Sequence, residues 1–371
     1  MPIRVWDYLD EYEQERDDLL AAVEQVFSSG RLILGESVKS FERAFAGYCG
    51  AAHGIGVDNG TNAIFLALKA LGVGAGDEVI TVANTAVPTV SAIASTGAAT
   101  RFVDIDSRTY LMDVSLVEQA ITPATRCIVP VHLYGQCVDM RALGEIAARH
   151  DLTVVEDCAQ SHGAMQRGKR AGTLADAAAF SFYPTKPLGA YGDGGMVLTS
   201  SDDVAARLRR LRFYGMDDLY YAEEHGYNSR LDELQAEILL RKLARLDGYI
   251  ARRRKIAQRY FAALADTTLQ LPVVAEGDEH VFYLYVVRHA ERERIVTELA
   301  EQEIALNVSY PFPIHTMRGY ASLGYAAGDL PQTERAANEI FSLPMYPTLS
   351  DETQERVCEA LRGALTRRGH A

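Results

Sequence analysis

The chain reads as an α/β protein, with a mostly parallel sheet in a large domain and a smaller α+β domain after it. Three observations predict this. Between Val79 and Arg212, short apolar runs alternate with amphipathic stretches of helical spacing, the pattern of a sheet covered on both faces. Beyond Ser229 that alternation gives way to two long helical stretches, one aromatic and β-branched run, and further helices. The 371 residues, 48% hydrophobic and 23% charged, suit a folded chain of about two domains.

The elements follow in order. Leu19, Leu20, Val23, Val26 and Phe27 recur at helical spacing and stop at Gly30, an amphipathic helix with a glycine end. A helix opens at Thr61 with Ile64, Ala67, Leu68 and Leu71 on one face. Strands are expected at Val79–Val82, Arg101–Val103, Cys127–Val131, Thr153–Val155, Ala178–Phe182 and Met196–Thr199. Helices are expected at Val87–Ser95, Val114–Ala120, Met140–Arg149 and Asp202–Arg212. The 22 uncharged residues from Val79 to Thr100 contain Asn84, Pro88 and Gly97, so they read as strand, turn and helix rather than a membrane span. Later come helices at Leu231–Leu246 and Tyr249–Leu264, a strand at His280–Val287, and helices at Glu291–Gln302, Glu334–Phe341 and Thr353–Leu365. The expected domains are 1–247 and 248–371, with Arg367–Ala371 as a frayed end.

Composition excludes several classes. The chain has 37 basic and 50 acidic side chains, a net charge of −13, whereas a nucleic-acid binder needs a basic surface. Arg252–Lys255 is a short basic run on a helix and reads as a solvated face. Five cysteines without CxxC spacing argue against a disulfide framework or structural zinc. The first residues show no charged-then-apolar leader. A cytoplasmic protein with no membrane partner is expected.

Ligands of open α/β sheets sit beyond the carboxyl ends of the strands, and three features lie there. Asn59-Gly60-Thr61-Asn62 stands where a loop becomes a helix; backbone N–H groups and the helix dipole favour a phosphate there, although an ordinary N-cap has the same form. Asp157 ends the apolar run Val154–Glu156; a carboxylate so placed needs a cationic partner such as a pyridinium nitrogen, unless it merely caps the next turn. Lys186 lies between the aromatic run Phe180–Tyr183 and the glycine-rich Gly189–Gly195. A lysine partly withdrawn from water is drawn towards its neutral, nucleophilic form, but a solvated loop lysine fits the same position. Of the six lysines, Lys39, Lys69, Lys242 and Lys255 fall on helical stretches and Lys169 in a polar turn. Together, a phosphate cradle, a strand-end Asp and a Lys 29 residues later are the parts that pyridoxal 5'-phosphate needs.

The sequence resembles the DegT/DnrJ/EryC1/StrS sugar aminotransferases from about Val5 to Leu365. The motifs that carry the resemblance are Ser28-Ser29-Gly30-Arg31, Val131-His132-Leu133-Tyr134-Gly135, Val155 to Gly163, Ser181-Phe182-Tyr183-Pro184-Thr185-Lys186, Gly192-Asp193-Gly194-Gly195 and Asn228 to Ala236. The resemblance implies the aspartate-aminotransferase fold (fold type I) and pyridoxal phosphate, with pyridoxamine phosphate as its alternate form. It places Lys186 as the Schiff-base lysine and Asp157 at the pyridine nitrogen. Gln160 falls near the ring hydroxyl, with Gly60, Thr61 and Ser181 at the phosphate. Asn228 matches an asparagine reaching the phosphate of the partner subunit, which implies a homodimer with composite sites. Tyr183, Tyr310 and His315 fall where the family lines its sugar pocket. Ala86 departs from the pattern, since an aromatic residue often stacks on the ring there.

The function so implied is transfer of an amino group from glutamate to a nucleotide-linked, dTDP-type keto-deoxy sugar. The His132–Gly135 form resembles the branch that aminates C3, in amino-sugar biosynthesis for antibiotics. The alternatives are a C4-specific aminotransferase, a related dehydratase, which would carry His in place of Lys186, and a non-catalytic binding protein on the same scaffold. A nicotinamide site is disfavoured because Gly72–Gly76 lies between a helix and a strand, the reverse of the dinucleotide fingerprint. No metal site is expected from His132, Cys158 and His162: Cys158 and His162 are four apart but not on a clear helix, and His132 reads as a packing or pocket residue.

Overall fold

The structure, a computed structural model, describes residues 2–217 and 220–366. The end expected to fray, 367–371, lies outside the described residues. Its strands are β1 (His53–Val57), β2 (Glu78–Val82), β3 (Ala99–Val103), β4 (Thr125–Ile128), β5 (Thr153–Asp157), the short β6 (Met165–Gln166) and β7 (Lys169–Arg170), β8 (Ala177–Ser181) and β9 (Gly195–Thr199). Seven of them form the central sheet in the order β1-β9-β8-β5-β4-β2-β3. From β3 to β8 every pairing is parallel. Only β9 is reversed, antiparallel to both β8 and β1, so β1 points the same way as β8. Four strands that later frame one cavity, β1, β2, β5 and β8, thus share one carboxyl end.

Period-two alternation divides each strand between two buried layers. Ala177, Ala179 and Val197 face a core containing Phe65, Leu66 and Leu68 of the helix Gly60–Ala70. Ala178, Phe180, Met196 and Leu198 face the opposite core, with Phe41 and Phe45 of the helix Glu36–Cys49. The strands read as continuous apolar runs because both faces are covered.

The helices Val87–Thr96 and Met140–Arg149 lie where the apolar spacing places them. Pro88 begins the first and left-handed Gly97 ends it; the Asp139 side chain caps the second by accepting the Ala142 N–H at 3.2 Å. The stretch 114–120 splits into a 3-10 turn, Val114–Leu116, and one helical turn, Val117–Ala120.

The C-terminal region has its own core of Ile256, Tyr260, Tyr285, Phe341 and Leu361, joined by Ile3 from the start of the chain. Beyond the short β10 (Asp278–Glu279), which pairs with β6, β11 (Tyr285–Arg288) and β12 (Ile340–Leu343) form an antiparallel pair. The helix Leu246–Leu264 joins the two regions. Its Leu246 and Ile250 pack in the core behind the main sheet, while Ile256, Tyr260 and Leu264 pack in the C-terminal one. Two expectations shift here. The strand sought at 280–287 begins only at Tyr285, because Phe282 adopts φ 50° and breaks the extended run. The helix sought at 334–341 spans Pro331–Glu339, and Phe341 belongs to β12. Among the described residues, no helix is long and apolar enough to cross a membrane.

Candidate active site

A cavity of about 610 Å³ opens at the shared carboxyl end of β1, β2, β5 and β8. Its lining includes Gly60 and Thr61 after β1, Ala86 and Thr89 after β2, Asp157 at the end of β5, and Ser181, Tyr183 and Lys186 at and after β8. The structure therefore gathers Lys186, Asp157, Gly60, Thr61, Ser181 and Tyr183 around one space.

The floor is a helix N-terminus. Asn59 caps the helix Gly60–Ala70 by accepting the Asn62 N–H at 2.8 Å. Asn62 in turn donates to both Asp58 oxygens, at 3.0 and 2.9 Å. A Cβ on Gly60 would lie 2.5 Å from the Ser181 Cβ, so glycine lets the helix start and the end of β8 close on each other. That approach sets backbone N–H groups beside the Ser181 hydroxyl, a cradle fit for a phosphate.

Asp157 is 4% exposed. Its Oδ2 accepts the Thr89 hydroxyl at 2.8 Å and its Oδ1 the Ala159 N–H at 3.1 Å. Thr89 is itself buried and shares a hydroxyl hydrogen bond of 2.9 Å with Thr85. Burial holds the Asp157 carboxyl above the usual carboxylate range; Thr89, the Ala159 N–H, Lys186 and His132 pull it back in that order. Two protein donors serve a group with room for about four. A buried carboxyl in this state fits a protonated ring nitrogen brought by a ligand. Sequence reasoning did not find Thr89; it could have been found as a hydroxyl in the first turn of the Val87–Thr96 helix, just past β2 at the ligand end of the sheet.

Lys186 is half-buried, and its Nζ lies 4.9 Å from the centroid of the Tyr283 ring. Tyr283 was likewise not found from sequence. Tyr183 stands at the mouth, 53% exposed.

The other expected residues lie outside the lining. Gln160 is buried, its Oε1 accepting the Tyr134 N–H at 2.8 Å and its Nε2 donating to the Tyr310 hydroxyl at 2.6 Å. It thus ties Tyr310 to the 132–136 turn. His315 is 1% exposed, with Nε2 3.0 Å from Glu334 and its ring against Tyr325. Asn228 is exposed and pairs with Phe213 through backbone; it does not line the cavity of its own chain.

His132, Glu156 and Cys158 come close enough to suggest a metal site. His132 Nε2 is 2.9 Å from Glu156, and its Nδ1 accepts the Val138 N–H at 3.2 Å. Glu156 also accepts the Gly172 and Leu174 N–H groups at 2.9 and 2.8 Å. Protein hydrogen bonds already occupy His132 and Glu156, and the Cys158 thiol donates to Glu156, so the cluster reads as a buried hydrogen-bond node. His162 sits apart, sealed among Phe45, Phe180 and Phe182. Burial, then the charge of Lys186, pushes its pKa down to about 3 and keeps the ring neutral.

Comparison with known proteins identifies the family. The model of the DegT/DnrJ/EryC1/StrS aminotransferase family matches residues 13–362. The chain is 61% identical over 372 aligned positions to a dTDP-3-amino-3,4,6-trideoxy-alpha-D-glucose transaminase of Micromonospora megalomicea subsp. nigra, covering 99% of this chain and 100% of that one. It is 46% identical to a pleiotropic regulatory protein of Geobacillus stearothermophilus, covering 97% and 98%. The crystal structure of S. venezuelae DesV in complex with a ketimine intermediate superposes with a TM-score of 0.97 at 42% identity, covering 99% of both chains.

Proposed function

The chain belongs to the DegT/DnrJ/EryC1/StrS aminotransferase family and is an aminotransferase, and from that premise we propose that it uses pyridoxal 5'-phosphate to aminate a dTDP-linked keto-deoxy sugar at C3. The observation that carries the substrate is the relative of 61% identity over the full length, whose name specifies a dTDP-3-amino sugar. Glutamate is the proposed donor, and the same residues would hold the cofactor in its pyridoxamine form.

The cavity fits that cofactor. Its helix N-terminus and Ser181 suit the phosphate, and the half-served Asp157 suits the ring nitrogen. When bound, pyridoxal phosphate supplies an aldehyde that condenses with amines and a ring that withdraws electrons. The protein does the rest. Asp157 holds a proton on the ring nitrogen, because a carboxylate buried without water is stabilised by a cation. Thr89 fixes which carboxylate oxygen faces inward. Lys186 would hold the aldehyde and, when free, would carry a proton on Nζ. Gln160 ties Tyr310 to the 132–136 turn. Tyr183, exposed at the mouth, is placed to meet the sugar, and His315 is held by Glu334 beside Tyr325.

A homodimer completes this reading. Asn228 is exposed and does not line the cavity of its own chain, as expected of a side chain that serves the partner subunit's phosphate. Exposed Phe27, Leu32, Tyr220 and Tyr221 supply apolar surface for such contact.

The regulatory name of the Geobacillus relative keeps a second reading in play, a binding protein on this scaffold. Turnover decides between them. Purified protein with pyridoxal phosphate, glutamate and a dTDP-3-keto-6-deoxyhexose should yield the 3-amino sugar, identified by NMR. Amination of a 4-keto isomer alone would refute the C3 assignment. Cofactor binding with no amination of either sugar would support the binding-protein reading.

A further inference from the structure

Tyr283 has no place in the scheme above, yet it is held against the lysine that does. Its ring centroid is 4.9 Å from Lys186 Nζ, and its hydroxyl is 3.1 Å from the Thr185 hydroxyl. The backbone beneath it is restrained from three sides. The Val281 N–H donates to Gly135 O at 2.9 Å. Phe282, at φ 50°, is strained for a bulky residue. Arg253, 3% exposed, donates through Nη1 to the carbonyls of Phe282, Tyr283 and Met345 at 3.3, 3.1 and 2.8 Å. Gly135, at φ 110°, leaves the room: a Cβ there would lie 2.8 Å from Val281 and 3.0 Å from the Tyr283 nitrogen. Strain maintained by this many contacts, and spent on aiming one ring at one ammonium, calls for a role.

We infer that Tyr283 is a positioning residue that docks the Lys186 ammonium through its ring face whenever the lysine is released from the cofactor. This rests on the pyridoxal phosphate reading. An ammonium within about 6 Å of an aromatic centroid is attracted to the ring quadrupole. A lysine covalently held by the cofactor has no ammonium to dock, so the ring favours only the amine-loaded form of the enzyme. A released lysine has four methylenes of freedom, and docking keeps its Nζ near the reacting carbon instead of in solvent.

Two measurements test it. The first is the equilibrium of the glutamate half-reaction, read from absorbance at fixed glutamate and 2-oxoglutarate. In Tyr283→Leu it shifts towards the lysine-linked form by about 3- to 10-fold; in Tyr283→Phe, which keeps the ring, it stays within about twofold of the native value. The second uses cofactor-free chain and an amine-reactive reagent, with peptide mass spectrometry. Labelling of Lys186 relative to Lys169 rises by about the same factor in Tyr283→Leu and not in Tyr283→Phe. Thr185→Val, which unpins the ring without removing it, shifts both readouts in the same direction by less, and it carries the test if Tyr283→Leu does not fold. Unchanged equilibrium and unchanged labelling in the folded variants overturn the inference. A native enzyme that shows no lysine-linked band with pyridoxal phosphate refutes the cofactor reading instead, and the labelling experiment still judges Tyr283.

Discussion

Asp157→Asn separates what the fold needs from what the cofactor needs. In the cofactor-free chain, Asp157 is buried, served by the Thr89 hydroxyl and the Ala159 N–H, and held above the usual carboxylate range chiefly by burial. The folded chain therefore binds this proton more tightly than the unfolded one. Its contribution to stability is fully present below the unfolded value and is lost as pH rises towards the folded one, by at most about 1.4 kcal/mol per pH unit. Asn has no proton to lose and keeps an acceptor for Thr89. The cofactor-free variant should match the native chain near pH 4 and exceed it by about 1 kcal/mol at pH 8. Cofactor binding should move the other way. Loss of a charge-assisted hydrogen bond to the ring nitrogen costs about 1.5–3 kcal/mol, or about 10- to 150-fold in Kd. Urea melts of cofactor-stripped protein at pH 4, 6 and 8, with pyridoxal phosphate titrations, give both numbers. A variant that is less stable than native at pH 8, with unchanged cofactor affinity, would refute the reasoning.

Further expectations concern neighbouring parts. Lys186→Ala should lower transamination by about 10⁴-fold or more while retaining bound cofactor; full turnover in coupled assays contradicts the assignment. Gly60→Ala places a methyl 2.5 Å from the Ser181 Cβ, where about 3.5–4.0 Å is comfortable. The helix start must then shift by about 1 Å, costing about 1–3 kcal/mol in a melt and weakening retention of the cofactor on dialysis. Arg253→Met leaves the carbonyls of Phe282, Tyr283 and Met345 without this donor, and should cost about 3 kcal/mol in urea unfolding.

Periodicity located the parallel half of the sheet well, because strands buried on both faces are uninterrupted apolar runs. It missed β1, where Gly54 and Gly56 weaken the strand signal. Those glycines are there for packing: a Cβ on Gly54 would lie 2.7 Å from Glu42 O, and one on Gly56 would lie 3.1 Å from Leu231. It also missed the short β12, whose strand character comes from pairing with β11 far away in sequence. In the site, the features lying just past strands were legible because the sheet delivers all such loops to one end. Thr89 and Tyr283 were not, since neither is an unusual residue where it stands. Thr89 matters through a hydrogen bond 68 positions away, and Tyr283 through a backbone bend that Arg253 and Gly135 impose. Gln160 and His315 were noticed as residues, but their partners, Tyr310 and Glu334, are set by tertiary packing alone.

The central claim is that Lys186 and Asp157 face one cofactor in the cavity at the carboxyl end of the sheet. The absorption spectrum of purified protein loaded with pyridoxal phosphate, before and after glutamate, tests it most directly. The account predicts a yellow band that collapses to the spectrum of the amine form, and that is absent from Lys186→Ala. A native protein that shows no such band, or the same band in Lys186→Ala, would contradict it.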